Sequence, residues 1–287
     1  MLQISRRNAI LAMPGVLMRP PLASASGRST FRGVALGTQT YSFRDRPLED
    51  AIVAMAQIGF GACEVSGRHV EPENLRGAEL RQWRLTVPLG HFATAGEKLR
   101  RADIEPEIFT YNLTLTPPSE TEIERGFEMA KALGAKMISS STKLSIVPAI
   151  DAAAKRHKMR VGLHNHSLIK QDEITTPDDF AAALRGRSEY MAITLDIGHF
   201  TAAGFNPALW LEHHHRHVLS LHIKDRKKDQ GPNVAFGEGD TPIGQALLYV
   251  RDHAHEIPAL IEYEYNAKDS VAEVQKCFDY CKNVLLS

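Results

Sequence analysis

Cysteine is scarce in this chain of 287 residues, which contains only Cys63, Cys277 and Cys281. A set that is this small and odd in number excludes a framework of disulfide bonds. Cys277 and Cys281 are four residues apart in a predicted helix, a spacing that favours packing in a core over a disulfide between them. The length is sufficient for one large domain that buries a substantial hydrophobic core without such bonds.

An excess of either charge is also absent, because 34 lysines and arginines balance 34 aspartates and glutamates. Proteins that bind nucleic acids need a basic surface that displaces the counterions of the phosphate backbone. The balance therefore gives no support for a nucleic-acid partner. Hydrophobic residues make up 43% of the chain and charged residues 24%, which is typical of a globular domain.

No long apolar run occurs near the N-terminus, where the stretch that reaches Met18 is too short to span a bilayer, so we expect no stable membrane anchor. This stretch follows Arg6-Arg7 and precedes Ala23-Ser24-Ala25, a pattern typical of a twin-arginine export signal with a cleavage site. We predict an export signal in residues 1–25 and a periplasmic location for the domain formed by residues 26–287. The alternative is an amphipathic, disordered leader.

Eight short apolar segments typical of buried strands alternate with amphipathic helical segments along the rest of the chain. The predicted strands are 34–41, 60–65, 107–112, 135–139, 160–164, 191–196, 218–222 and 259–262, and the predicted helices are 47–59, 74–85, 119–134, 146–157, 177–184, 207–215, 241–253 and 270–286. The segment 86–102 is hard to assign, and its pattern gives a weak indication of a strand. The alternation predicts a parallel sheet, and eight units within this length fit a single α/β domain with a closed (β/α)8 TIM barrel. Phosphate-loop and dinucleotide-binding fingerprints, which would favour an open sheet, are absent.

Six of the predicted strands have a polar or charged residue at or near their C-terminal end, where the functional rim of such a barrel lies. These residues are Glu64, Asn112, His164, Asp196, His222 and Glu262. Each alone would more commonly be a hydrogen-bonded core residue, a turn residue or a helix cap. Imidazole nitrogen and carboxylate oxygen together suit a divalent metal ion. We therefore predict a metal site formed by His164, Asp196, His222 and Glu262, with Mn2+ as the preferred ion and Mg2+, Co2+ and Zn2+ as alternatives.

Further residues near these strand ends could complete the site. His199 is either a hydrogen-bond donor to a substrate or a second metal ligand. Lys224 either stabilises a developing oxyanion or is an ordinary surface lysine. His166 faces the site only if the fifth strand continues to it. Glu264 competes with Glu262 as the ligand from the last strand, and Glu262 is preferred because it directly follows the apolar run.

Four motifs in a fixed order carry a resemblance to a known family. They are Leu195-Asp196-Ile197-Gly198-His199, Leu221-His222-Ile223-Lys224-Asp225, Phe236-Gly237-Glu238-Gly239-Asp240 and Ile261-Glu262-Tyr263-Glu264. In this order they resemble the xylose-isomerase-like TIM-barrel superfamily, the sugar phosphate isomerase/epimerase group, over essentially the whole mature chain. The resemblance implies a (β/α)8 barrel, a divalent metal on its C-terminal rim, and a polyol or keto-sugar that chelates this metal.

The resemblance assigns Asp196, His222 and Glu262 to three of the family's four metal ligands. The fourth is a glutamate in the ketose epimerases, whereas this chain has His164 within a His-Asn-His sequence at 164–166. This departure argues against a symmetric epimerisation by two glutamates. Relatives with the His-Asn-His sequence, several of them exported, resemble enzymes that act on oxidised keto-sugars, such as lyases and hydratases.

The implied chemistry is the formation of a metal-stabilised enediolate after a base, Glu262 or His164, removes the proton beside a carbonyl. The residues expected to contact or orient the sugar are Glu64, Asn112, His166, His199 and Lys224. We expect a sugar isomerase or epimerase-type enzyme that acts on an unphosphorylated keto-sugar. The alternatives are a lyase or hydratase that eliminates from 3-keto-glycosides, and a non-catalytic sugar-binding or partner subunit. An exported sugar dehydrogenase is an expected partner, and a homo-oligomer is a further expectation.

Overall fold

Eight parallel strands form a closed barrel in the computed structural model, which describes residues 27–113, 118–254 and 256–287. The strands are β1 (Thr30–Phe31), β2 (Val34–Gln39), β3 (Ala62–Val65), β4 (Glu105–Thr110), β5 (Met137–Ser140), β6 (Arg160–His164), β7 (Met191–Asp196), β8 (Val218–Ile223) and β9 (Ala259–Ile261). Strands β2 to β9 pair in chain order, and the parallel pairing of β2 with β9 closes the barrel. The short β1 pairs antiparallel with β2. The predicted (β/α)8 TIM barrel is confirmed, whereas the predicted export signal in residues 1–25 lies outside the described residues.

Helices connect the successive strands, and their apolar faces contribute to the main hydrophobic core. They are α1 (Leu48–Ile58), α2 (Gly67–Val70), α3 (Gly77–Thr86), α4 (Gly90–Arg101), α5 (Glu120–Leu133), α6 (Val147–His157), α7 (Pro177–Leu184), α8 (Ile197–Ala202), α9 (Pro207–His214), α10 (Ile243–His253) and α11 (Ser270–Leu286). The start of α5 is encoded locally, because the Ser119 side chain accepts a hydrogen bond from the Glu122 backbone N–H. Among the described residues, no helix has both the length and the apolar character needed to cross a membrane.

The weak strand prediction for 86–102 is wrong, because this segment contains the whole of α4. The buried residues of this helix are Phe92, Ala95, Gly96 and Leu99. Their spacing of i, i+3, i+4 and i+7 places them on one helical face. Two of the four are small, so the apolar stripe contributes little hydrophobicity, and the helical period is hard to recognise in the sequence alone.

Gly96 lies where α4 packs against the end of α5, and a Cβ at this position would overlap the carbonyl oxygen of Leu133. We expect Gly96→Ala to lower the free energy of unfolding by about 1–3 kcal/mol, because the helices must move apart to admit the methyl group. Gly90→Ala in the same helix is the matched control, since a Cβ there meets no atom of the described residues within 4 Å. It should leave stability unchanged or raise it by up to about 1 kcal/mol. Urea unfolding followed by circular dichroism measures both, and equal losses would contradict the tight packing.

The interior of the barrel is apolar away from its C-terminal mouth and polar near it. A small cluster, separate from the main core, takes one buried apolar side chain from each of five strands: Ile108, Met137, Ala192, Leu219 and Leu260. Side chains alternate between the two faces of a strand, so residues two and four positions further along face the same side. By this rule Thr110, Asp196 and Glu262 face the interior closer to the mouth. The apolar cluster therefore lies beneath the polar residues that form the rim.

Candidate functional site

Four donor atoms converge at the mouth of the barrel, one from each of the last four strand ends. His164 ends β6, Asp196 ends β7, His222 lies near the end of β8, and Glu262 directly follows β9. One nitrogen or carboxylate oxygen of each residue lies within 4.8 Å of those of the other three. The structure thus brings together the four residues that the sequence predicts as metal ligands.

The fit of these residues to a metal ion rests on their unsatisfied donor atoms. His164 Nε2, Asp196 Oδ2, His222 Nδ1 and Glu262 Oε2 are buried and make no well-formed hydrogen bond with any described residue. The nearest positive group is the ammonium of Lys224, 3.1 Å from each of the two carboxylate oxygens. Buried polar atoms are almost always hydrogen-bonded, so four that converge without such bonds indicate a position suited to a cation. Two imidazole nitrogens and two carboxylate oxygens are a donor set that suits a divalent ion of borderline softness.

His222 is held between two carboxylates. Its Nε2 lies 2.8 Å from Oε2 of Glu64, and its Nδ1 lies 3.1 Å from Oε2 of Glu262. Burial would lower the pKa of His222, but the negative charges of Glu64 and Glu262 outweigh it and hold that pKa well above its ordinary value. Glu64 is fully buried, and its other oxygen accepts a hydrogen bond from the Thr110 hydroxyl at 2.6 Å. Glu64 therefore binds the ring nitrogen of His222 opposite the one that faces Glu262, whereas the sequence suggested that Glu64 contacts the sugar.

Lys224 is one of the largest fully buried side chains, which excludes the alternative of an ordinary surface lysine. Its ammonium lies 3.1 Å from Asp196 Oδ2, 3.1 Å from Glu262 Oε2 and 2.6 Å from Glu264 Oε2. Burial would lower the pKa of the lysine, but the neighbouring carboxylates outweigh it and raise that pKa above its ordinary value. Burial would likewise raise the pKa of Glu262, but the positive charges of Lys224 and His222 outweigh it and hold that pKa below its ordinary value.

His199 lies in the first turn of α8, where its backbone N–H donates to Oδ1 of Asp196, the N-cap residue, at 2.7 Å. Its ring Nδ1 lies 2.8 Å from Nη1 of Arg226. A guanidinium only donates hydrogen bonds, so Nδ1 accepts and the ring proton is on Nε2. Burial lowers the pKa of His199 well below its ordinary value, which agrees with a neutral ring.

This tautomer bears on the two roles that the sequence allows for His199. A protonated Nε2 cannot ligate a metal, but it can donate to an oxygen atom. Nε2 of His199 lies 3.7 Å from Oδ2 of Asp196. Lys224 Nζ is 3.4 Å from the same nitrogen, and since both groups are donors in this state, that contact is not a hydrogen bond. The geometry therefore favours a hydrogen-bond donor over a second metal ligand.

A cavity of about 380 Å3 opens above the four donor atoms, a volume that suits a small polar molecule. Its walls include His164, His166, His199, Glu262 and Glu264 from the strands and loops after β6, β7 and β9. Of the two glutamates, Glu262 supplies an atom to the donor cluster, whereas Glu264 pairs with the ammonium of Lys224. This division agrees with the preference for Glu262 as the ligand.

The predicted substrate-binding residues His166 and Asn112 also line this cavity. Nε2 of His166 lies 3.4 Å from the hydroxyl of Ser141. Burial, together with the nearby His164, lowers the pKa of His166 to about 4, so its ring is neutral near pH 7. Oδ1 of Asn112 accepts a hydrogen bond from the Ser141 backbone N–H at 2.9 Å, which fixes the orientation of the amide.

Among the polar residues around the site that sequence reasoning missed are Gln39, Thr110 and Arg226. Gln39 ends β2 and Thr110 ends β4, whereas the predicted strands extend to 41 and 112. The rule that selects polar residues at strand ends would have found both if those ends had been placed two residues earlier. Arg226 lies in the loop after β8, and no signal in the sequence marks its contact with His199.

The glycine-rich segment 236–240 forms a loop that Asp225 holds in place. One carboxylate oxygen of Asp225 accepts hydrogen bonds from the backbone N–H groups of Gly237 at 2.8 Å and Gly239 at 2.9 Å. A Cβ at Gly239 would overlap this carboxylate, so the close approach requires glycine. The motif therefore has a structural role in fixing the loop that follows β8.

The parallel barrel and the donor cluster at its C-terminal mouth define a TIM-barrel protein with a candidate divalent-metal site. The model of the family described as xylose isomerase-like TIM barrel matches residues 52–281 of this chain. The chain belongs to that family, in agreement with the resemblance carried by its motifs.

Individual relatives are similar over different shares of the chain. L-ribulose-5-phosphate 3-epimerase UlaE of Escherichia coli is 32% identical over 88 residues, which are 30% of this chain and 31% of that protein. This chain thus matches less than a third of the length of the curated relative. The probable 3-DHS dehydratase AsbF of Bacillus anthracis superposes with a TM-score of 0.63 at 15% identity, over 86% of this chain and 98% of that chain. The structure of IOLI protein with a zinc atom superposes with a TM-score of 0.64 at 14% identity, over 88% of this chain and 98% of that chain. These two likenesses show the fold alone.

Proposed function

We propose that this protein is a divalent-metal-dependent sugar isomerase or epimerase-type enzyme that acts on an unphosphorylated keto-sugar through an enediolate. The observation that carries the proposal is the convergence of four buried donor atoms, none of which makes a well-formed hydrogen bond with a described residue, beneath a polar cavity of about 380 Å3. Membership of the xylose isomerase-like family and the similarity to the epimerase UlaE support the sugar isomerase class. The zinc atom bound by IOLI protein, which has the same fold, supports a divalent metal in this chain.

The metal would be held by His164, Asp196, His222 and Glu262. When bound, a divalent ion supplies a Lewis acid that polarises a sugar carbonyl and acidifies the C–H bond beside it. Mn2+ is our first choice, with Mg2+, Co2+ and Zn2+ as alternatives, since no thiolate in the donor set favours zinc.

The protein's own groups would perform the proton transfers. Glu262 lines the cavity and is the proposed base that removes the proton beside the carbonyl, with His164 as the alternative base. The Nε2–H of His199 would donate to a sugar oxygen, and His166 and Asn112 would contact the hydroxyl groups. Lys224 is buried against Glu262 and Glu264, so we assign it a positioning role that acts through these carboxylates.

A lyase or hydratase acting on 3-keto-glycosides is the second candidate, and His164 is the observation that favours it. Because His164 stands where the ketose epimerases have a glutamate, Glu262 is the one carboxylate of the donor cluster that lines the cavity. Elimination needs one base and one acid: Glu262 takes the C–H proton, the electron pair forms the double bond, and the C–O bond breaks. His199 Nε2–H would protonate the departing oxygen.

Proton NMR in D2O distinguishes these outcomes. The purified protein would be loaded with Mn2+ and incubated with free ketoses and 3-keto-glucosides. The paramagnetic ion would be removed after the reaction, before the spectra are recorded. We expect deuterium beside the carbonyl with the skeleton intact. Release of water or aglycone with a new vinyl signal would instead establish the elimination. Stoichiometric metal binding without exchange on any substrate would favour a non-catalytic sugar-binding subunit, and Asp196→Asn is the control for adventitious exchange.

The location and the partners belong to the same proposal. The pair Arg6-Arg7 and the sequence of residues 23–25 support export to the periplasm. An exported sugar dehydrogenase would then be the partner that supplies the oxidised substrate. We also propose that the protein can form a homo-oligomer. Cell fractionation with a C-terminal tag tests the location directly.

A further inference from the structure

A chain of hydrogen bonds that starts outside the four candidate ligands ends on the ring of His222. Oε1 of Gln39 accepts from the backbone N–H of Tyr41 at 2.6 Å, and Nε2 of Gln39 donates to the Thr110 hydroxyl at 3.2 Å. The Thr110 hydroxyl donates to Oε1 of Glu64 at 2.6 Å. Oε2 of Glu64 lies 2.8 Å from Nε2 of His222. The four side chains come from β2, β4, β3 and β8.

The direction of every bond in this chain is determined. A backbone N–H can only donate, so the oxygen of the Gln39 amide faces Tyr41 and its nitrogen faces Thr110. The Thr110 oxygen accepts from that nitrogen, which leaves its own hydrogen for Glu64. The carboxylate of Glu64 accepts on both oxygens, so Nε2 of His222 must carry a proton.

The consequence appears at the other ring nitrogen. When a cation displaces the proton of Nδ1, the proton on Nε2 stays bound to Glu64, and Nδ1 supplies a lone pair to the cation. Nδ1 is the ring atom that belongs to the four converging donor atoms, 3.1 Å from Oε2 of Glu262. Glu64 and His222 are buried, so water does not compete for the bond between them, whereas Thr110 is half-buried and lines the cavity.

We infer that Gln39, Thr110 and Glu64 are positioning residues that fix the tautomer and orientation of His222, and that they set the affinity of the site for a divalent cation. This inference rests on the proposed function, because it requires the site to bind a metal. A carboxylate that accepts the second N–H of a ligating histidine makes the ring a stronger donor, and loss of such a partner typically weakens metal binding about 10–100-fold.

Thr110→Val tests the middle of the chain, because it removes the hydroxyl and keeps the shape of the side chain. We expect the Kd for Mn2+, measured by isothermal titration calorimetry on the full chain, to rise about 10-fold, the lower end of the range for a group bonded directly to a ligand. Thr110→Ser retains a hydroxyl and is the matched control, with a Kd close to that of the wild type. Glu64→Gln is the second variant, which decides the question if Thr110→Val fails to fold.

A spectroscopic readout separates this role from general damage to the fold. In Zn2+-loaded protein with 15N-labelled histidine, the Nε2–H proton of His222 should resonate far downfield because it donates to a carboxylate. This resonance should persist in Thr110→Ser and move upfield in Glu64→Gln, where the acceptor is neutral.

The outcomes distinguish the inference from the proposed function. A wild-type protein that binds no divalent cation would overturn the proposed function and, with it, this inference. A wild type that binds Mn2+ while folded Thr110→Val and Glu64→Gln bind it equally well would overturn the inference alone. An unchanged Nε2–H resonance in Glu64→Gln would also overturn it, because the bond to Glu64 would then not determine the state of the ring.

Discussion

Asp196→Asn is expected to abolish stoichiometric binding of a divalent cation while it leaves the local fold intact. The two oxygens of Asp196 have separate roles: Oδ1 caps α8 by accepting from the His199 N–H, and Oδ2 belongs to the donor cluster. Asparagine preserves the capping oxygen, which alanine would not, and substitutes an amide nitrogen for the candidate ligand. We expect the Kd for Mn2+ to rise by at least about 100-fold, since a direct ligand should exceed the range typical of supporting residues.

Isothermal titration calorimetry and metal analysis after gel filtration measure this effect, and proton exchange in D2O measures the accompanying loss of activity. Asp151→Asn is the matched control, because Asp151 is also a buried carboxylate but lies on α6, where it binds Ser188 and Lys155. It should bind Mn2+ like the wild type. If Asp196→Asn retained full affinity, the four converging atoms would not be the metal ligands.

Lys224→Met is expected to lower the free energy of unfolding of the metal-free protein by about 3–5 kcal/mol, the usual cost of leaving buried charge without its partner. The ammonium lies within 3.1 Å of carboxylate oxygens of Asp196 and Glu262 and 2.6 Å from one of Glu264. Its removal leaves these negative charges to repel one another at short range. A saturating divalent cation would offset part of that repulsion, so Mn2+ should stabilise the variant more than it stabilises the wild type.

Urea unfolding with and without Mn2+ measures both parts of this prediction. Lys98→Met is the control, because Lys98 pairs with Glu49 at 2.5 Å and both side chains are exposed, by 42% and 59%. Exposed pairs of this kind contribute about 0–1 kcal/mol, so the control should change stability little. Similar small losses in the two variants would mean that the ammonium of Lys224 does not balance the carboxylates of the site.

The four candidate ligands could be predicted because each depends on a local pattern. Asp196 and His222 end short apolar runs, and the carboxyl ends of parallel strands must meet on one rim once a barrel closes. The same patterns predicted the strands and the (β/α)8 architecture. The helix α4 was missed because half of its buried face is alanine and glycine, which gives the periodic pattern little contrast.

The sequence by itself determined the barrel and the four candidate ligands on its rim, since strand alternation and strand ends are properties of neighbouring residues. Only the tertiary structure decided which rim groups bind one another. The contact between Glu64 and His222 joins residues 158 positions apart. The burial of Lys224 depends on carboxylates from two other strand ends, and the tautomer of His199 depends on a loop arginine. Such contacts are set by barrel closure, strand register and side-chain packing, which no local pattern encodes.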